Sequence, residues 1–259
     1  MDQARAFDNV ADVYDAARPG YPAGLFDDII AAAELRAGDE VLEVGCGTGK
    51  ATVPLARRGL RITALDPGPA LLRAARQALA AFPHVTLVEA GFEAWSPPPT
   101  RFRLIVAAQS WHWVAPEVRF LKAADLLTPD GTLAVFGNVP VGFDPPGLLE
   151  AFERVYRHHT GLWGPPPEAW YLSGGPVAQQ FDESRRFQPV THKGHPWTWS
   201  HTAATYGAFV RTRSDTQVVA PDPERREALV AAIGDAIEAH GGRLDVRYEA
   251  HLYMARHKA

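Results

Sequence analysis

Glu43 to Lys50 read EVGCGTGK, an acid and three glycines at alternate positions, closed by a lysine and preceded by an apolar run. Two nucleotide chemistries use glycines near this spacing. A phosphate loop needs four residues between its glycines, then Lys and Ser or Thr. Gly45 and Gly49 enclose three, and Ala51 follows Lys50, so the Mg²⁺-binding hydroxyl is missing. A dinucleotide fingerprint needs a third glycine three residues after the second, for close helix packing over a pyrophosphate. Gly45 and Gly47 fit, but Lys50 takes the third position. A second candidate is QSWHWV, Gln109 to Val114, with the titratable His112 between two tryptophans. A third is HKGHPWTWSH, which holds His192, His195 and His201 at loose spacing with no cysteine nearby; zinc is not expected, and the stretch reads instead as wall or strand edge.

The elements that must position these residues alternate. EVLEV (40–44), RITALD (61–66), HVTLVEA (84–90), FRLIVAA (102–108) and GTLAVFG (131–137) read as short, nearly all-apolar strands, the texture of strands buried on both faces. Helical patterns connect them: 51–59 stopped by Gly59, 69–82 begun by Pro69 with Leu71, Leu72, Ala75 and Leu79 on one face, and 116–127 closed by TPDG. Strands alternating with helices imply a parallel, doubly wound sheet. Two helical patterns precede this core. After Gly137 the texture changes to Pro, Trp, Gly and His, with a helix expected at 147–158, helices near 202–212 and 223–240, and an alternating strand pattern in RLDVRYEAHLYMAR.

An acid-x-Gly-x-Gly-x-Gly loop after a first strand, with an acid ending the second, resembles the class I S-adenosylmethionine-dependent methyltransferases. LEVGCGTG is similar to their first motif, and Asp66 in ITALDPGPALLRAAR sits where their ribose-binding acid sits. VEAGFEAW resembles their adenine-side loop, and LLTPDGTLAVF the turn into their fifth strand. FDNVADVYDAARPGYP, AAQSWHWV and the C-terminal segment are similar to a small-molecule subgroup that includes trans-aconitate methyltransferase-like proteins. The resemblance implies a Rossmann-like, seven-stranded, mostly parallel α/β sheet with helices on both faces, its last strand (244–254) antiparallel. It implies one domain: lid helices over 1–36, a cofactor core over 37–138, a substrate cap over 139–201 between strands five and six, and C-terminal helices and strand over 202–259.

It also implies S-adenosyl-L-methionine as cofactor, against Glu43, Gly45, Cys46, Gly47, Thr48, Gly49, Asp66, Pro67, Gly91, Phe92, Glu93, Gln109 and Ser110, with Tyr14 and Arg18 from the lid. Glu43 suits the cofactor's ammonium, and Asp66 its ribose diol, as an acid does in dinucleotide folds. The plain reading of the same residues is a tight turn, a buried Glu43 and a surface Asp66. Cys46 reads as a loop filler, because nothing identifiable would activate its thiol. His112 either acts as a base or packs the next helix. Tyr14 either stands near the sulfonium, as an aromatic face would, or packs in the core. Arg18 either binds a carboxylate or is solvated. His112, Trp113, Trp163 and Trp170 are candidate substrate contacts, although tryptophans also fill ordinary cores.

The 259 residues carry 46% hydrophobic and 22% charged side chains, a globular composition with chain enough for a large core. A net charge of −4 disfavours a nucleic-acid footprint, and no apolar run reaches membrane-spanning length. A single cysteine and no leader-like N-terminus point to the cytoplasm. The expected partner is a small-molecule substrate, and the expected assembly a monomer or homodimer. The expected activity is methyl transfer to an oxygen, of a carboxylate or a hydroxyl; the alternatives are RNA or protein methylation, or cofactor binding without catalysis.

Overall fold

The computed structural model describes residues 18–97, 99–165 and 167–258; Tyr14 and the first expected lid helix lie outside the described residues. The sheet contains β1 (Glu40–Val44), β2 (Arg61–Asp66), β3 (Val85–Glu89), β4 (Phe102–Ala108), β5 (Leu127–Asp144), β6 (Thr191–Thr202) and β7 (Arg243–Arg256). Their spatial order is β3-β2-β1-β4-β5-β7-β6. The ladder is parallel from β3 to β5, and β7 runs antiparallel between β5 and β6. Helices α1 (Ala23–Ala32), α2 (Thr52–Ala56), α3 (Pro69–Ala78) and α4 (Pro116–Leu126) accompany the parallel half; α5 (Leu148–Thr160), α6 (Pro176–Ser184), α7 (Ala203–Thr212), α8 (Ser214–Val219) and α9 (Pro223–Ala239) accompany the rest.

Successive strand side chains point to opposite faces. Leu42, Ile105 and Ala107 therefore join a core with α4 and α6, while Val41, Leu104 and Val106 join a second core with α1 and α3. Both faces are covered over the central strands, which is why their runs are nearly all apolar; β3, at the sheet edge, has no fully buried residue, against the expectation of burial on both faces. Leu71, Leu72, Ala75 and Leu79 are all buried, as the helical spacing predicts. A third core unites α5, α7 and α9 with the first half of β7.

Four expectations need correction. The helix expected at 51–59 spans only 52–56, because the following residues turn toward Gly59. TPDG is not a closing turn: it bulges within β5, between the pairs Phe102–Leu127 and Leu104–Thr132. The span expected as a cap, 139–201, is not all insertion: 139–144 continue β5 and 191–201 form most of edge strand β6. The second expected lid helix, α1, sinks Leu25, Phe26 and Ile29 into the core and cannot swing as a lid without exposing them.

The strand order reverses between β1 and β4, and ligands of open α/β sheets bind in the crevice outside the carboxyl ends at such a reversal.

Candidate active site

That crevice holds a cavity of about 320 Å³, within the range of small-molecule pockets. Of the candidate residues, Arg18, Glu43, Gly45, Cys46, Gly47, Thr48, Asp66, Pro67, Gly91, Phe92, Glu93, Gln109, Ser110, His112 and Trp113 all line it. Gly49 does not; it packs toward Leu79 and Thr52 behind the loop.

Two glycines of the loop have different reasons. Gly45 has φ +70°, and a Cβ there would stand 2.5 Å from that of Ser110, whose hydroxyl donates to the Val44 carbonyl. The first glycine thus admits a neighbouring side chain rather than a ligand. Gly47 has φ +55°, and a Cβ there would meet nothing among the described residues. Its missing side chain leaves room in a cavity wall.

The electrostatics centre on two acids. Glu43 is fully buried, and neither carboxylate oxygen has a hydrogen-bond partner among the described residues. Burial pushes its pKa up to about 8; the nearby Thr52 hydroxyl opposes the rise, and Asp66 adds to it. A buried, unmatched carboxyl costs free energy unless something cationic completes it. Asp66 is differently placed. Its Oδ2 accepts from Gly47 N and its Oδ1 from Gly68 N, both at 2.8 Å. The acid therefore ties the glycine loop to the start of α3. Burial drives the Cys46 thiol well above its ordinary pKa, with Glu43 and Asp66 contributing, so it is an inert filler.

At the end of β4, Gln109 takes a left-handed φ of +51° that turns the chain into a short 3₁₀ turn, Trp111–Trp113. Tyr21 Oη donates to Gln109 Oε1 at 3.3 Å. His112 Nδ1 lies 3.1 Å from Tyr171 Oη. Burial, aided by the Arg119 charge, lowers His112 to about 4, so the ring is neutral at physiological pH. Tyr171 is fully buried against Gly137, where a Cβ would come within 2.6 Å of the ring; Tyr253 Oη donates to the Tyr171 carbonyl at 3.0 Å. Glu93 Oε1 accepts from Ala115 N at 2.9 Å, which joins the β3 loop to α4.

Two of the candidate tryptophans lie outside this cavity's lining. Trp170 packs on His112, with ring centroids 5.7 Å apart, and under the Arg119 guanidinium, outside the cavity lining. Trp163 lines a second cavity bounded by β5, α5 and α7. The first cavity also receives Pro19, Tyr21, Lys50, Pro167, Glu168 and Tyr171, which the sequence reading did not select. Tyr171 is the informative omission. It comes from a 3₁₀ turn, Pro167–Tyr171, whose sequence has no periodic pattern; Tyr next to Trp after a proline run was its only signal.

Residues 41–131 match the family model of a methyltransferase domain. A methyltransferase of Mycobacterium tuberculosis, itself described as uncharacterized, is 34% identical over 137 residues, 53% of this chain and 54% of that protein. The trans-aconitate 2-methyltransferase of Rhodopseudomonas palustris is 28% identical over 168 residues, 60% of this chain and 63% of that protein. The chain thus spans about half to three-fifths of the length of these curated relatives. A type II methyltransferase structure from Anaeromyxobacter dehalogenans superposes with a TM-score of 0.67 at 22% identity, covering 92% of this chain and 97% of that one. By strand order, glycine loop and domain match together, the chain has the class I S-adenosylmethionine-dependent methyltransferase fold and resembles the trans-aconitate methyltransferases.

Proposed function

We propose that the protein transfers the methyl group of S-adenosyl-L-methionine to an oxygen of a small molecule. The observation that carries this reading is Glu43, a fully buried carboxyl with both oxygens unmatched in a cavity otherwise walled by a glycine loop. An amino-acid ammonium is the group that completes it. Asp66 takes the ribose diol, beside Pro67. Gly91, Phe92 and Glu93 flank the adenine. Gly45, Cys46, Gly47 and Thr48 wall the methionine portion, and Arg18 faces its carboxylate. Gln109 and Ser110 stand toward the sulfonium, with Tyr14 assigned to the same end.

The cofactor supplies an electrophilic methyl whose departure leaves a neutral thioether, so the protein's task is positioning and exclusion of water. Tyr171 and Glu168 on the outer wall serve the second task. His112, neutral and hydrogen-bonded to Tyr171, orients an acceptor oxygen or takes its proton transiently; a base held near 4 stores no proton at neutral pH. A carboxylate acceptor needs no base and a hydroxyl does. Residues between β5 and β6 form the cap. The product S-adenosylhomocysteine should bind by calorimetry where NAD and ATP do not. Labelled cofactor incubated with a small-molecule extract should yield labelled product below the size of any polymer. Preference for NAD removes the cofactor reading; label confined to RNA or protein removes the small-molecule one. Cofactor binding with no labelled product from any extract supports a non-catalytic role instead.

A further inference from the structure

The second cavity, about 590 Å³, lies at the carboxyl end of β5, against the start of β7 and between α5 and α7. It adjoins the first. Pro167 lines both. Glu168 lines the first cavity while its carboxylate meets Arg213 of the second at 3.2 Å. Arg18, also in the first, stands 5.6 Å from the ring centroid of Phe209 in the second. The cavity is too large to be a packing defect and is the natural continuation of the cofactor crevice toward β5.

Its walls define what it takes. Phe152 and Tyr206 stack at 5.4 Å with planes 5° apart, and Phe143, Tyr156, Trp163 and Tyr248 complete an aromatic enclosure. Among its described lining residues the charged side chains are Arg213 and Asp215, and they neutralise each other in a two-point pair at 2.9 and 2.7 Å. Glu168 adds a second carboxylate to the same guanidinium. A polycarboxylate needs cations whose charge is not already matched, and desolvating it against aromatic walls without them is prohibitive. The tyrosines supply neutral hydrogen-bonding points on an apolar surface, the arrangement that holds uncharged ring compounds.

We propose that this cavity is the acceptor site and that it selects an uncharged, mainly apolar ring compound bearing a hydroxyl, in preference to a polycarboxylate. The assignment rests on the methyl-transfer reading for its role as acceptor site, but the binding claim stands alone. The test is titration of the full chain with 1-naphthol and, separately, with propane-1,2,3-tricarboxylate, each with and without saturating S-adenosylhomocysteine. Naphthol should bind and the tricarboxylate should not. Val141 and Leu149 lie at the cavity, 53% and 43% exposed, so they tolerate change without disturbing a core. Val141→Trp and Leu149→Glu should each weaken naphthol binding roughly tenfold or more while S-adenosylhomocysteine affinity holds. Tricarboxylate binding as tight as naphthol, or naphthol affinity untouched by both variants, overturns the proposal. Loss of S-adenosylhomocysteine binding in the wild type would instead strike the methyl-transfer reading.

Discussion

Replacing Glu43 by glutamine should make the protein without cofactor more stable and its cofactor complex weaker. In the folded chain the carboxyl titrates at about 8 against 4.5 for an ordinary glutamate. A group whose folded pKa is raised stabilises the fold below its unfolded value, and that stabilisation is lost as pH climbs toward the folded value. At pH 7 the unfolded chain has released this proton and the folded chain has kept it. At 1.36 kcal/mol per unit, the interval from 4.5 to 7 amounts to about 3 kcal/mol, rising to roughly 5 kcal/mol above pH 8. These are ceilings, because buried sites respond with a higher effective permittivity than dry protein. Glutamine keeps the shape and does not titrate. The difference in unfolding free energy between variant and wild type, followed by urea melts from pH 5 to 9, should therefore grow with pH by about 2–4 kcal/mol. Cofactor binding should reverse the protonation. An ammonium against Glu43 restores its ionised form, so binding at pH 7 should release close to one proton, about 0.9, fading above pH 8. Calorimetry in buffers of different ionisation enthalpy reads that number. A difference that stays flat with pH, or proton uptake on binding, would refute the placement of Glu43.

Asp66→Ala should cost on the order of 2–4 kcal/mol of cofactor affinity and, by orphaning the Gly47 and Gly68 amides, about 1–3 kcal/mol of stability per amide; unchanged calorimetric affinity in a folded variant would leave Asp66 a loop anchor alone. His112, lowered to about 4 by burial, stabilises the fold above its unfolded pKa and loses that contribution as pH falls from about 6.5 toward 4, the opposite sense to Glu43. Its rate profile should show no limb near neutrality, and His112→Ala should reduce turnover with little change in cofactor affinity; a neutral limb that disappears in the variant would contradict the lowered value. Gly137→Ala should displace the Tyr171 ring, costing roughly 1–3 kcal/mol and lowering turnover more than cofactor affinity; a silent substitution would detach Tyr171 from the site.

The glycine loop, Asp66 and the parallel strands were legible because backbone geometry and two-sided burial leave strict residue patterns. The outer wall was not. Tyr171 is held by Gly137 and Tyr253, partners 34 and 82 positions away, and no local pattern encodes such a contact. β6 was legible only in part, as wall or strand edge, for another reason. Its sequence, THKGHPWTWSHT, has Gly194 and Pro196 in its interior, which argue against a central strand. As the edge strand it pairs on one side only, along β7, and proline is tolerated there. Gly45 shows the limit of motif reading: its type was read correctly, and its reason, room for Ser110, lies 65 residues on.

The position of β7 governs the order of assembly. It follows every other strand in the chain, yet in space it separates β5 from β6. The edge strand has no ladder to join until β7 has been made and threaded into place. Until then the outer edge of β5, an 18-residue strand, presents open amides and carbonyls to any neighbouring chain. Synthesis proceeds toward this late pairing of distant segments, the slow kind of contact. A nascent or truncated chain lacking β7 should therefore be prone to joining its neighbours through β5, with its cofactor loop already formed.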